Sequence, residues 1–270
     1  MICIAITGAA GRMGQRLIAL ARQDEGFRIV AAMERPDHPA QGRDAGEVAG
    51  IGPIGIPITT ELKPTPQVLL DFTLPDSTRH WLNVCRDRRI AMLIGTTGLE
   101  SADHAAIDAA AAVIPILQSP TMALGVAVLY RLAAEAARIL GDDYDIEIEE
   151  AHHRFKKDAP SGTALGLADA ILKATGKSRD SLVFGRHGAD AARRSGQIGV
   201  HALRMGDEVG RHTAYFGGLG ERLELTHRAT SRDTFVRGAL RCARWLAGRA
   251  PGRYTLADVL ELAPAAVTAT

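Results

Sequence analysis

Residues 8–14 read Gly8-Ala9-Ala10-Gly11-Arg12-Met13-Gly14. They stand between an apolar run, Ile2 to Thr7, and a segment of helical periodicity, Arg12 to Gln23. Strand, glycine turn and helix in that order form a receptor for a dinucleotide. The first glycine permits the sharp turn, the second lets the backbone approach a pyrophosphate, and the third lets helix and strand pack closely. The opening amides of the helix then face the phosphates. The spacing is the looser G-x-x-G-x-x-G, so position between strand and helix carries more weight than spacing. About twenty residues on, at the end of a second strand from Arg28 to Met33, stand Glu34 and Arg35. A carboxylate there hydrogen-bonds the adenosine ribose of NADH, and a guanidinium pairs with the 2′-phosphate of NADPH. The pair allows either cofactor.

Outward from this start the chain alternates. Val68 to Phe72, Ile90 to Ile94 and Val113 to Leu117 read as further strands, with helices from about Ser77 to Arg88 and Ser101 to Ala112 between them. Alternation of this kind implies right-handed crossovers and a parallel sheet, hence an α/β, Rossmann-like doubly wound domain. Gly95-Thr96-Thr97-Gly98 follows the fourth strand. It lies at the carboxyl edge of the sheet, where ligands bind in such folds, and is a candidate for the nicotinamide or ribose region.

The pattern then changes to period two. In Asp145 to Glu150, isoleucines alternate with glutamates, and Ile198 to Leu203, Arg211 to Phe216 and Arg222 to His227 alternate likewise. Half-exposed strands of this kind predict an α+β substrate domain on a mostly antiparallel open sheet, covered by helices over Leu124 to Leu140 and Thr163 to Thr175. From about Asp233 the chain is helical again. The expected organisation is therefore residues 1–122 with 233–270 as the dinucleotide-binding domain, and 123–232 as the substrate-binding domain. Two crossings between them make a hinge plausible. The small residues from about Pro264 read as a loose tail.

Composition narrows the function classes. At 46% hydrophobic the chain can bury a core, and a net charge of +1 supplies no field for nucleic acid or anionic membrane. The one basic stretch, Arg232 to Arg253, spaces its arginines at helical intervals and reads as a solvated face or a subunit contact. Cys3, Cys85 and Cys242 are scattered, with no C-x-x-C, so neither a disulfide framework nor a zinc site is indicated. With no basic leader and no apolar span, the expected setting is cytoplasmic.

The chemistry concentrates in Glu150 to Thr163, E-A-H-H-R-F-K-K-D-A-P-S-G-T. Two imidazoles, a guanidinium and two ammonium groups precede a helix start. Asp158 and Ser161 are both capping types, and Pro160 is tolerated near a first turn. The amides of Gly162 and Thr163, with the hydroxyls of Ser161 and Thr163, form a cradle for a carboxylate. Arg154, Lys156 or Lys157 is placed for a second carboxylate. His152 or Lys156 can supply a proton near neutral pH once hydride has been delivered to an adjacent carbon. The implied substrate is a small unsaturated or imine dicarboxylate. Metal ligation by the adjacent His152 and His153 is disfavoured, because neighbouring side chains on a strand diverge.

Taken together, G-x-x-G-R-M-G, Glu34-Arg35, Asp71-Phe72-Thr73, Gly95 to Gly98 and E-A-H-H-R-x-K-x-D-A-P-S-G-T resemble the dihydrodipicolinate reductase family over nearly the whole chain. The resemblance implies NADH- or NADPH-dependent reduction of a cyclic dicarboxylate in lysine and diaminopimelate synthesis. It implies His152 as general acid, Lys156 assisting protonation, and His153, Lys156, Ser161, Gly162 and Thr163 as the substrate's grip. It gives the cofactor to Gly8, Ala9, Ala10, Gly11, Arg12, Met13, Gly14, Glu34, Arg35, Phe72, Thr73, Gly95, Thr96, Thr97, Ser119, Pro120, Thr121 and Met122. It also implies a homotetramer built through the second domains and a hinge that closes on both ligands. Two departures stand out. Leu74 occupies a place where the family often has arginine, with Arg79 a candidate substitute, and Thr121 and Ala123 replace an asparagine and a serine. The rival readings are another dehydrogenase of a small dicarboxylate, a thioester-forming semialdehyde dehydrogenase, which needs an activated cysteine, and a dinucleotide-sensing regulator without turnover.

Overall fold

The computed structural model describes residues 1–262; the tail expected from about Pro264 lies outside the described residues. In chain order the elements are β1 (Ile2–Thr7), α1 (Arg12–Gln23), β2 (Phe27–Met33), α2 (Ala45–Val48), β3 (Ile58–Thr59), β4 (Val68–Asp71), α3 (Pro75–Arg88), β5 (Ala91–Ile94), α4 (Ser101–Ala111) and β6 (Pro115–Gln118). There follow α5 (Leu124–Leu140), β7 (Asp145–His152), α6 (Gly162–Thr175), β8 (Leu182–Phe184), β9 (Ile198–Arg204), β10 (Gly210–Gly217), β11 (Arg222–Ala229), α7 (Asp233–Leu246), β12 (Gly252–Tyr254) and α8 (Leu256–Val259). The chain divides into two compact units, Met1–Ala123 with Asp233–Glu261, and Leu124–Arg232.

The first unit is built on a seven-stranded sheet in the order β12-β6-β5-β4-β1-β2-β3, every pairing parallel. Its inner strands are buried on both faces, which is why β4 and β5 read as unbroken apolar runs, Val-Leu-Leu and Ala-Met-Leu-Ile. The strand order reverses between β1 and β4, so the carboxyl ends of these two strands flank the switch point where such folds bind ligands. One side of the core packs Leu69, Met92 and Ile116 of the sheet against Trp81, Leu82 and Cys85 of α3 and Ile107 of α4. Gly14 sets the distance between α1 and the turn: a Cβ there would stand 2.1 Å from the Gly8 carbonyl oxygen.

The second unit carries a five-stranded sheet in the order β11-β10-β7-β9-β8. It corrects the expectation of a mostly antiparallel sheet. β10 runs antiparallel to β7 and β11, but β7 with β9 and β8 with β9 are parallel, so the sheet is mixed. Period-two alternation reports that one face is exposed and says nothing of direction; α6 is the crossover that returns the chain parallel to β7. Helices α5 and α6 cover one face, burying Ile146, Ile148, Val200, Ala214 and Phe216 against Leu129, Leu167 and Ile171.

Candidate active site

At the carboxyl edge of the first sheet, Gly8 has φ +62°, a conformation that L side chains rarely adopt. The Gly11 amide donates to the Gly8 carbonyl at 2.9 Å and closes the turn, while the Ala9 amide donates to Met33 O at 3.0 Å and ties it to the end of β2. The Glu34 carboxylate accepts from the Ala10 amide at 3.2 Å and from the Arg35 amide at 3.0 Å. The Arg35 guanidinium reaches Asp37 at 3.1 Å, and both side chains are exposed.

Beneath these loops lies a residue that sequence reasoning gave no role. Asp71, the last residue of β4, is fully buried and accepts from four threonine hydroxyls. These are Thr7 at 2.8 Å and Thr73 at 2.6 Å on Oδ1, and Thr78 at 2.5 Å and Thr96 at 3.2 Å on Oδ2. Thr96 also accepts the Thr73 amide at 3.0 Å. One carboxylate thus joins β1, the β4–α3 turn, α3 and the loop after β5. The glycines fit the same interlock. A Cβ on Gly8 would meet Thr73 Cγ2 at 2.8 Å, and one on Gly95 would stand 2.0 Å from the Phe72 ring. Phe72, Thr73, Gly95 and Thr96 therefore pack as one group, while Thr97 is exposed beside it.

Other expected residues fall differently. The Met122 side chain is buried, and its carbonyl oxygen lies where a Cβ on Gly238 of α7 would be, 1.7 Å away. Thr121 Oγ1 accepts the Ala123 amide at 3.3 Å and its carbonyl accepts from Ser119 Oγ at 2.6 Å, so this turn is closed on itself, after Pro120. Arg79 is not available to stand in for an arginine at Leu74. Its guanidinium holds Asp103 at 2.6 and 3.0 Å and Asp76 at 2.6 Å, fixing the start of α4. Leu74 itself is 73% exposed.

The second unit brings together the histidine block and the start of α6. Alternation along β7 turns Glu150 and His152 to the same face, and Glu150 Oε2 takes the His152 Nδ1 contact at 2.6 Å. The same carboxylate accepts both terminal nitrogens of Arg204 on β9, at 2.9 and 2.8 Å, and the Ser161 amide at 2.9 Å. Burial alone would raise the Glu150 carboxyl; the hydrogen bonds from His152, Arg204 and Ser161 outweigh it and bring the group down to about 2. Ser161 is the N-cap of α6, accepting the Ala164 amide at 3.2 Å, and its Oγ lies 3.1 Å from His212 Nε2. His212 stands edge-on to His152 with ring centroids 5.1 Å apart. Burial first, then the neighbouring His152, pushes it down to about 3, so it is neutral at pH 7.

Asp158, the other capping candidate, does not cap: its carboxylate holds Lys156 Nζ at 2.9 Å. A Cβ on Gly162 would meet nothing within 4 Å, so there is open space beside the start of α6. His153 and Thr163 are half-buried, and Arg154 and Lys157 are exposed. Glu150 was legible as a neighbour of His152 from the alternation. Arg204 and His212 were not, since they arrive from other strands of the sheet. Among the described residues no group of three or more His, Cys, Asp or Glu is arranged to hold a metal ion. No helix among them is long and apolar enough to cross a membrane.

The thiols are poorly placed for thioester chemistry. Burial pushes Cys85 well above the ordinary thiol range and Cys242 up to about 12, and Cys3 lies within β1. What remains is an oxidoreductase of the Rossmann-like class with a separate α+β unit. Residues 2–122 match the family model described as dihydrodipicolinate reductase, N-terminus, and residues 125–260 that described as its C-terminus. The chain belongs to the dihydrodipicolinate reductase family, whose members use a nicotinamide cofactor. It is 49% identical over 263 residues to the 4-hydroxy-tetrahydrodipicolinate reductase of Alkalilimnicola ehrlichii, covering 96% of this chain and 98% of the relative. It is 46% identical over 265 residues to that of Myxococcus xanthus, with the same coverage. A dipicolinate-bound dihydrodipicolinate reductase from Paenisporosarcina sp. TG-14 shares the fold, with TM-score 0.75 and 24% identity over 94% of this chain and 97% of that one. The chain is therefore an enzyme, which removes the non-catalytic regulator from consideration.

Proposed function

We propose that the protein reduces 4-hydroxy-tetrahydrodipicolinate to tetrahydrodipicolinate in lysine and diaminopimelate biosynthesis, in the cytoplasm, with water and the oxidised dinucleotide as the other products. The observation that carries this reading is the junction at Glu150, which bonds both His152 and the amide of the α6 cap. A proton source and an anion-binding helix start are thereby neighbours, as reduction of a carboxylated imine requires.

The bound nicotinamide dinucleotide supplies the hydride. The residues of the first unit fit such a group. The turn from Gly8 to Gly14 opens α1 with free amides, and Glu34 lies against it for the ribose. Phe72, Thr73, Gly95, Thr96 and Thr97 line the adjacent strand ends, and the turn from Ser119 to Met122 follows β6 at the same edge of the sheet. With Arg35 engaged by Asp37 and a carboxylate beside it, we read NADH as accepted alongside NADPH.

In the second unit, Ser161, Gly162 and Thr163 receive one substrate carboxylate at the positive end of α6. Lys156, turning from Asp158, and His153 hold the other. His152 gives a proton from Nε2 to the carbon next to the one that accepts hydride, and Lys156 assists by holding positive charge nearby. The sheet face opposite α5 and α6, with Glu147, Glu149, Arg211 and Tyr215, is the one we assign to a homotetramer.

The test is oxidation of NADPH or NADH that depends on the product of dihydrodipicolinate synthase, for the wild type and for His152→Gln. The variant is expected to lose roughly 10²–10⁴ in kcat while cofactor affinity stays unchanged. No substrate-dependent oxidation refutes the reaction; a fully active variant refutes His152 as the acid.

A further inference from the structure

We propose that Glu150 is a positioning residue for the reaction: one buried carboxylate holds a proton on His152 Nδ1, which leaves Nε2 as the transferring nitrogen, and simultaneously holds the Ser161 turn that receives the substrate. This inference rests on the role proposed above for His152.

A carboxylate is an acceptor with about four lone-pair sites. At Glu150 two hydrogen bonds arrive on each oxygen, from His152 and Arg204 on Oε2 and from Arg204 and Ser161 on Oε1. The side chain has no exposed surface. Nδ1 must therefore be the donor toward Oε2, and the neutral ring has its lone pair on Nε2. Among the described residues Nε2 has no hydrogen-bond partner. Gly210 lies beside it, where a Cβ would stand 3.2 Å from Nε2. A side chain at 210 would crowd the nitrogen that has to meet the substrate.

The charges around the ring suit a group that gains and loses a proton. Glu150 on β7 is negative, Arg204 on β9 is positive, and His212 on β10 is neutral. When His152 is an imidazolium, Glu150 faces two cations. When the proton has left, Glu150 remains paired with both arms of Arg204, so no isolated charge is stranded in the interior. Arg204 is anchored in turn by the carbonyls of Leu203 and Asp158, each at 2.6 Å. The carboxylate thus stays in place in both states of the ring, and the ring returns to the same tautomer after each turnover.

The link to Ser161 adds the second half. The Ser161 amide lies just outside the first turn of α6, and its bond to Glu150 sets where the Gly162 and Thr163 amides stand relative to the imidazole. A change at Glu150 therefore acts on proton transfer and on carboxylate binding together, but not on the dinucleotide.

The experiment is a double-mutant cycle of Glu150→Gln and His152→Gln, read in kcat, in KM for the dicarboxylate and in dinucleotide affinity by fluorescence titration. Glutamine keeps the shape but turns two donors toward neighbours that already donate. Expected for Glu150→Gln alone is a loss of about 10²-fold in kcat, a severalfold rise in KM and unchanged dinucleotide affinity. In the His152→Gln background the same substitution should cost little further kcat, because its effect passes through the ring. Equal losses in both backgrounds, or a wild-type kcat in the single variant, overturn the proposal. A wild-type kcat in His152→Gln alone overturns the function assigned to His152 instead. Nitrogen-15 spectra of the unmodified enzyme decide independently of any variant's folding. The neutral His152 ring is expected protonated on Nδ1, and a ring protonated on Nε2 would sink the proposal.

Discussion

Replacing Asp71 by asparagine should loosen the cofactor loops without removing a single atom's worth of volume. The four hydroxyls that converge on it all donate. If the amide oxygen takes the Oδ1 place, the bonds from Thr7 and Thr73 survive as neutral ones. The amide nitrogen then faces Thr78 and Thr96, whose hydroxyls must turn away. Thr78 has the Leu74 carbonyl at 3.3 Å to turn to; Thr96, which already accepts the Thr73 amide, has no such second acceptor among the described residues. Hydrogen bonds to a charged acceptor contribute about 1.5–3 kcal/mol and neutral ones about 1 kcal/mol. Two weakened and one or two lost bonds amount to about 3 kcal/mol of stability, or roughly 6–12 °C in Tm for a chain of this size. Because Thr73 and Thr96 belong to the proposed cofactor site, Kd for NADH should also rise, by about 10-fold if half of that energy is felt by the bound state. The assay is calorimetry with and without NADH, joined to a fluorescence titration. An unchanged Tm would refute the hydroxyl clamp. A lowered Tm with unchanged Kd would separate the clamp from the cofactor site.

Asp37→Ala releases Arg35 from an exposed ion pair, and such pairs contribute about 0–1 kcal/mol. The expected result is a gain of up to roughly fivefold in kcat/KM for NADPH with NADH unchanged, and equal effects on both would remove Arg35 from the 2′-phosphate. Acid should weaken the fold from near neutrality downward. The folded pKa of His212 is depressed from 6.5 to about 3 and that of Glu150 from 4.5 to about 2. Between each pair of values the unfolded chain binds a proton that the folded chain refuses, so the stability is complete above about 6.5 and falls with pH. From His212 alone the loss by pH 5 is about 2 kcal/mol. Calorimetric Tm values from pH 7 to 5 should decline in the wild type and flatten in His212→Gln, and a flat wild-type profile would contradict the buried neutral ring.

Much of the first unit was readable because its signals are local. The glycine turn, the apolar runs of β1, β4 and β5, and the periodicity of α1 each lie within a dozen neighbouring residues, and the parallel sheet follows from their alternation. Strands β3, β8 and β12 were missed, being two or three residues long, too short to show a period. The direction of β9 was misjudged because alternation is blind to it. The histidine block likewise carries locally the signals on which its proposed chemistry rests. Its organisation did not, since Arg204 lies 54 residues and His212 62 residues beyond Glu150, and only the register of β9 and β10 on β7 brings them together. The cap of α6 shows the same limit. Asp158 and Ser161 are equivalent by type, and the choice falls to Ser161 because its amide is held by Glu150 while Asp158 is engaged by Lys156.

Each unit therefore places a fully buried carboxylate beneath loops proposed to face a ligand, Asp71 at the end of β4 and Glu150 near the end of β7. A carboxylate there gathers donors from several segments and offers none of its own, so it can define the geometry of loops that must also release a ligand. The two differ in what surrounds them. Around Asp71 the donors are hydroxyls that do not titrate near neutral pH, so its removal should change cofactor affinity by a factor that is the same at pH 6 and pH 8. Around Glu150 one donor is an imidazole, the one proposed above to exchange protons during turnover. Its removal should change kcat by a factor that depends on pH, because the tautomer that it fixes exists only in the neutral ring. A pH-dependent factor at Asp71, or a constant one at Glu150, would show that burial and hydrogen-bond count alone do not distinguish a residue that positions a loop from one that positions a proton.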